Sequence, residues 1–174
     1  MGTERKRLSS TGRLFLIPLC SALAIVTGVA ESWFPLPFPG MRLGIANVFH
    51  LLALILSGPG SAVAVTALRL SLSFFLSGNV FSLACSTAGL MLSLPVSVIL
   101  YVRYGASLSI PAISAASAFA FNIGQVAAVV VLTGEPTIAA YLPLLLAAAA
   151  VTGFAVGKLA ETLARRLRQA LFIR

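Results

Sequence analysis

The chain has 174 residues, 59% of them hydrophobic and 9% charged, with a mean hydropathy of +1.04. A soluble domain dresses its surface with about 25% charged residues, so this composition excludes a water-exposed globule and points to an all-α integral membrane protein. The net charge of +8 comes from twelve Lys and Arg against four Glu and no Asp. Because the basic residues cluster at the two ends, they fit membrane lipid and orientation signals, and not nucleic acid.

Residues 1–13 are a basic segment, read as cytoplasmic, with Arg5, Lys6, Arg7 and Arg13. A basic start followed by an apolar run resembles a signal peptide. The apolar run continues through Val29, however, so it is expected to stay as a first span over Leu14–Ser32. Along it Cys20, Ala24, Gly28 and Ser32 recur every four residues. Such a stripe of small residues permits close helix approach, either to another protein or within the bundle. Next comes WFPLPFPGMRLGIAN, from Trp33 to Asn47. Pro35, Pro37 and Pro39 remove backbone donors and fix φ, which rules out regular helix. With Trp33, Phe38 and Arg42, the segment reads as a stiff apolar loop. It is either a lid over a cavity or a connector anchored at headgroup level.

The second span, Gly44–Leu56, is short. SGPGS at 57–61 separates it from a third span over Ala62–Leu76, and SGN at 77–79 leads to a fourth over Phe81–Val102. The fifth runs over Ile110–Leu132, and TGEPT precedes a sixth over Ile138–Leu159. Six spans thus fill one domain over 14–160. The tail at 161–174 is basic and amphipathic, with Leu159, Leu163, Leu167 and Leu171 four residues apart. It suits the cytoplasmic membrane surface or a partner. The positive-inside rule places both termini in the cytoplasm and the 33–43 loop on the outer face of the cytoplasmic membrane.

Ionisable groups inside a span cost about 2.5–3.5 kcal/mol on insertion scales, so each needs a partner or a cavity. Arg69, near the middle of the third span, is the clearest case. It suits either an anionic ligand or a structural partner, with Glu31 the nearest acidic candidate. Asn47 and His50 share one helical face, and so do Asn122 and Gln125. Both pairs are expected in the outer half at similar depth, where they would form the polar part of a pocket or bond helix to helix. Asn79, in the turn before the fourth span, is a further candidate. Cys20 and Cys85 are isolated, and the glutamates at 4, 31, 135 and 161 are scattered. No metal site, no cofactor and no catalytic residue is therefore expected. No GxxxxGK[ST] phosphate loop is present either, so any ATP hydrolysis would need a separate subunit.

The block PGMRLGIAN at 39–47, the later SGNVFSLACSTAG and NIGQ at 122–125 together resemble one bacterial family. It is labelled Gx transporter or heptaprenyl diphosphate synthase component I, and the resemblance covers nearly the whole chain. That family is similar to the S-components of energy-coupling-factor (ECF) transporters. The resemblance implies a six-helix membrane protein that holds a vitamin- or cofactor-like molecule under a lid formed by the 33–43 loop. It also implies docking through the small-residue face of the first helix onto a coupling protein driven by ATPase subunits. One departure is Phe121, where relatives often carry His. The older label implies instead an accessory subunit of prenyl diphosphate synthesis. With no Asp and no paired carboxylates to hold Mg²⁺, this chain is not expected to catalyse that reaction alone. A membrane scaffold without ligand is the third reading.

Overall fold

Helices form along each unbroken apolar run, and four of them end at a glycine. The computed structural model describes residues 10–32 and 44–172. Within them α1 spans Ser10–Ser32, α2 Asn47–Ser57, α3 Pro59–Ser77, α4 Val80–Tyr104, α5 Ile110–Thr133 and α6 Leu142–Phe172. A 3-10 turn at Pro136–Tyr141 leads into α6. No strand occurs among the described residues. Gly58, Gly78, Gly105 and Gly134 follow α2, α3, α4 and α5. The expected lid residues Trp33, Pro35, Pro37, Phe38, Pro39 and Arg42 lie outside the described residues.

Five helical stretches are long and apolar enough to cross a membrane; α2 is the exception. Its 11 residues reach about 16 Å at 1.5 Å per residue, roughly half of a ~30 Å hydrocarbon core. The sequence placed the start at Gly44, but Gly44 has a positive φ of 83°. It opens a turn in which Asn47 N–H donates to Gly44 O at 2.9 Å. The α2–α3 connection is also tighter than expected. Only Gly58 breaks the helices, at φ 94°, a conformation that a side chain would strain. Pro59 then starts α3, since proline fits the first helical turn, where no donor is needed.

The result is a buried half-length helix. Nine of the eleven α2 residues are buried, among them Val48, Leu51 and Leu54 against α4, α5 and α6, and Leu52, Ala53 and Leu56 against α1, α3 and α6. Both ends are tied. At the start, Ala46 N–H donates to Glu31 Oε1 of α1 at 3.0 Å. At the end, Arg168 Nη2 of α6 donates to Ile55 O at 2.8 Å, and Tyr101 Oη of α4 lies 3.4 Å from the same oxygen. An acid at the N-terminus and a base at the C-terminus both complement the helix dipole.

The second half of the molecule is held by close backbone approach. The contacts of α5 with α4 and α6 are the most extensive in the bundle, and those of α3 with α4 are sparse. At Gly124 an added Cβ would lie 2.5 Å from Ala88 O of α4, so only glycine lets these helices meet here. Ser117 Oγ donates across the same seam to Ser93 O at 3.1 Å. Helix α6 runs on to Phe172 without a break. The basic amphipathic stretch, expected to continue the sixth helix, forms its last turns, with Ala160 and Ala164 buried and Leu163 and Leu167 packed against the core. Leu159 faces outward.

Candidate ligand site at the start of α2

Antiparallel pairing about Gly58 decides which polar side chains meet. Asn47 lies eleven residues before Gly58 and Arg69 eleven after; His50 and Thr66 lie eight residues to either side. Asn47 therefore stands level with Arg69, and His50 with Thr66. Arg69 Nη1 donates to Asn47 Oδ1 at 3.0 Å. Both residues are buried, Arg69 being 4% exposed at the middle of a spanning helix. Glu31 does not partner Arg69 by any hydrogen bond or ion pair described; its Oε1 accepts from Ala46 N–H instead. Sequence depth alone had placed Arg69 deeper than Asn47. The short α2 brings its first residue down to the level of Arg69.

Around this pair lie polar atoms whose hydrogen bonding is unmet. Both ring nitrogens of His50, Thr66 Oγ1 and Ser86 Oγ are buried with no hydrogen-bond partner among the described residues. Buried polar groups are normally satisfied, and an unmet cluster marks where water, an ion or a ligand fits. A narrow cleft with room for about one water molecule runs between α3 and α4 and is lined by Arg69, Ser73, Phe74, Ser82 and Ser86. A second recess, again with room for about one water molecule, joins Asn47 to Ser114, Ser117 and Ala118 of α5.

The α5 residues sit close to this level. The Ser117–Ser93 bond sets the α4–α5 register, and eight residues further on Gln125 stands level with Cys85, beside Ser86. Gln125 is fully buried. Asn122 is buried too, and its Nδ2 donates to Ala118 O of its own helix at 3.0 Å. Phe121 is buried and packs over Gly89.

Other sequence candidates have different placements. Asn79 is exposed, and its Oδ1 caps α4 by accepting from Ser82 N–H at 2.9 Å. Cys20, Ala24 and Gly28 are buried inside the bundle, so they serve internal packing and are not displayed for another protein. Ser32 closes α1, and its side chain lies outside the described residues. Thr66, Ser82 and Ser86 were missed, because Ser and Thr within spans ordinarily bond the carbonyl four residues back, as Thr87 and Thr152 do here.

No group of three metal-ligating side chains occurs among the described residues. A family model described as heptaprenyl diphosphate synthase component I matches residues 20–163. The chain belongs to that family. The match covers α1 from Cys20 onwards, all of α2 to α5 and most of α6, so the Arg69–Asn47 level lies wholly within it. No curated protein and no solved structure matches the chain.

Proposed function

We propose that this protein is a membrane-embedded binding subunit for a small anionic molecule, serving prenyl diphosphate or quinone synthesis as a non-catalytic accessory to partner subunits. The observation that carries this reading is the Arg69–Asn47 pair at the start of a half-length helix, beside a cleft between α3 and α4. A helix N-terminus inside a membrane bundle favours negative charge, and broken helices present such ends to anionic ligands. Arg69 adds a permanent positive charge. His50, Thr66 and Ser86 supply unmet hydrogen-bonding atoms nearby. Asn122 and Gln125 extend the same polar level.

The name of the family supports the accessory role. Catalysis by the chain alone is disfavoured by its carboxylates: Glu31 is engaged at α2 and Glu161 with Lys158 and Arg165. The transport role, with a coupling protein and ATPase subunits, rests on the sequence resemblance to ECF S-components. We place both termini in the cytoplasm on the positive-inside rule.

Mass spectrometry of small molecules that co-purify with the protein tests the binding role, and affinity capture separates the two partner classes. Recovery of a prenyltransferase supports the accessory role; recovery of ATPases supports transport. Arg69→Ala should weaken binding of the co-purified ligand about tenfold or more, as expected for losing a hydrogen bond to a charged group. Unchanged affinity in a folded variant sinks the site, and prenyl transfer by the isolated chain overturns the non-catalytic reading.

A further inference from the structure

The opposite end of α2 holds a second charged recess. It measures about 240 Å³ and is lined by Ile55, Tyr101, Ile110, Glu161, Arg165 and Arg168. Four helices contribute: the last turn of α2, the end of α4, the start of α5 and the final turns of α6. Arg168 is half-buried there. One of its five donors is given to Ile55 O, while Nε–H is buried with no hydrogen-bond partner among the described residues. Glu161 does not neutralise Arg168, because it is paired with Arg165 and with Lys158 at 3.9 Å. The recess lining therefore carries two guanidiniums against one shared carboxylate.

We propose that this recess binds a phosphate-bearing anion between Arg165 and Arg168. Guanidinium groups match the oxygens of phosphate in paired geometry. The first turn of α5, which carries Ile110, adds the positive end of a helix dipole. Ile55, Ile110 and Ala164 give the recess an apolar wall, which accommodates the glycerol or chain atoms of a lipid as readily as a free ion's edge. Arg168 holds α2 and faces the anion at once, so occupancy would report directly on the seating of α2. The inference uses none of the residues of the Arg69 site and stands apart from it.

Two probes separate the sources of phosphate. Native mass spectrometry of protein released from nanodiscs of phosphatidylcholine doped with phosphatidic acid reads the lipid headgroup. Calorimetric titration with inorganic pyrophosphate reads the free ion. Binding of either probe, weakened about tenfold or more in an Arg165→Gln/Arg168→Gln double variant, is the expected result, at about fivefold per arginine. Arg165→Gln alone leaves the Arg168–Ile55 bond in place and should still cost about fivefold, so a folding defect in the double variant cannot mask the result. Arg103→Gln/Arg166→Gln removes the same charge from two exposed positions outside the recess and should leave binding unchanged. Equal losses in both pairs, or no binding of either probe, overturns the proposal. Arg69→Ala should leave both readouts intact, which keeps failure here distinct from failure at the start of α2.

Discussion

The two halves of this bundle solve the problem of packing in lipid in different ways. Helices α4, α5 and α6 approach backbone to backbone through small residues, with Gly124 against Ala88 and Ser117 bonded to Ser93. Helices α1, α2 and α3 enclose instead a glutamate, an asparagine, a histidine and an arginine, all buried. Apolar helices gain no hydrophobic drive from one another in lipid, so close van der Waals contact holds the first kind of interface. The second kind holds charge and hydrogen-bonding groups that only specific partners can satisfy. Where α3 meets α4 the contact between the halves is sparse, and the cleft beside Arg69 lies there. A closely packed half and a polar half, joined tightly where α2 meets α6 and sparsely where α3 meets α4, make a frame and a site.

Four substitutions sharpen or break this contrast. Gly124→Val should have the largest effect, because its side chain would meet the Ala88 backbone, which cannot move aside as a side chain would. A loss of about 3 kcal/mol or more is expected, read as a lowered melting temperature in detergent; a tolerated valine would mean that the α4–α5 seam is loose. Glu31→Ala comes next, at about 2 kcal/mol, since it strips the acceptor from a buried N–H at the start of α2. The same variant should alter ligand affinity, and a purely structural Glu31 would not. Asn79→Ala removes the α4 cap at about 1 kcal/mol, with ligand affinity unchanged if Asn79 stands apart from the site. Ser117→Ala is the mildest, at about 0.6 kcal/mol, read as a small drop in melting temperature in detergent from loss of the bond to Ser93 O.

The spans were legible because long apolar runs bounded by glycine leave few alternatives. Helix α2 was legible only as unusually short. Its consequence was not, because depth was counted from the outer surface and not from the Gly58 turn, about which Asn47 and Arg69 are equidistant. That symmetry was available in the residue numbers, once a single glycine was taken as the whole connection. Arg69, Asn47, His50, Asn122 and Gln125 stood out as polar groups in apolar surroundings. Thr66 and Ser86 did not, since hydroxyl side chains within a helix can satisfy themselves locally. Arg168 looked like one of several basic residues on an amphipathic stretch. Periodicity showed that one face of that stretch was apolar but could not show what the face would meet. The small stripe at Cys20, Ala24 and Gly28 was ambiguous for the same reason, and burial assigns it to the interior.

The ties at the two ends of α2 have a consequence for how the protein is made. The acid at its start is supplied 15 residues earlier in the chain, whereas the arginine at its end arrives 113 residues later. An eleven-residue helix too short to span cannot hold its place in the bilayer unaided. As the chain emerges, α2 can therefore be positioned at one end by what precedes it, but its other end waits for the final turns of α6. A helix made early is among the last to be secured.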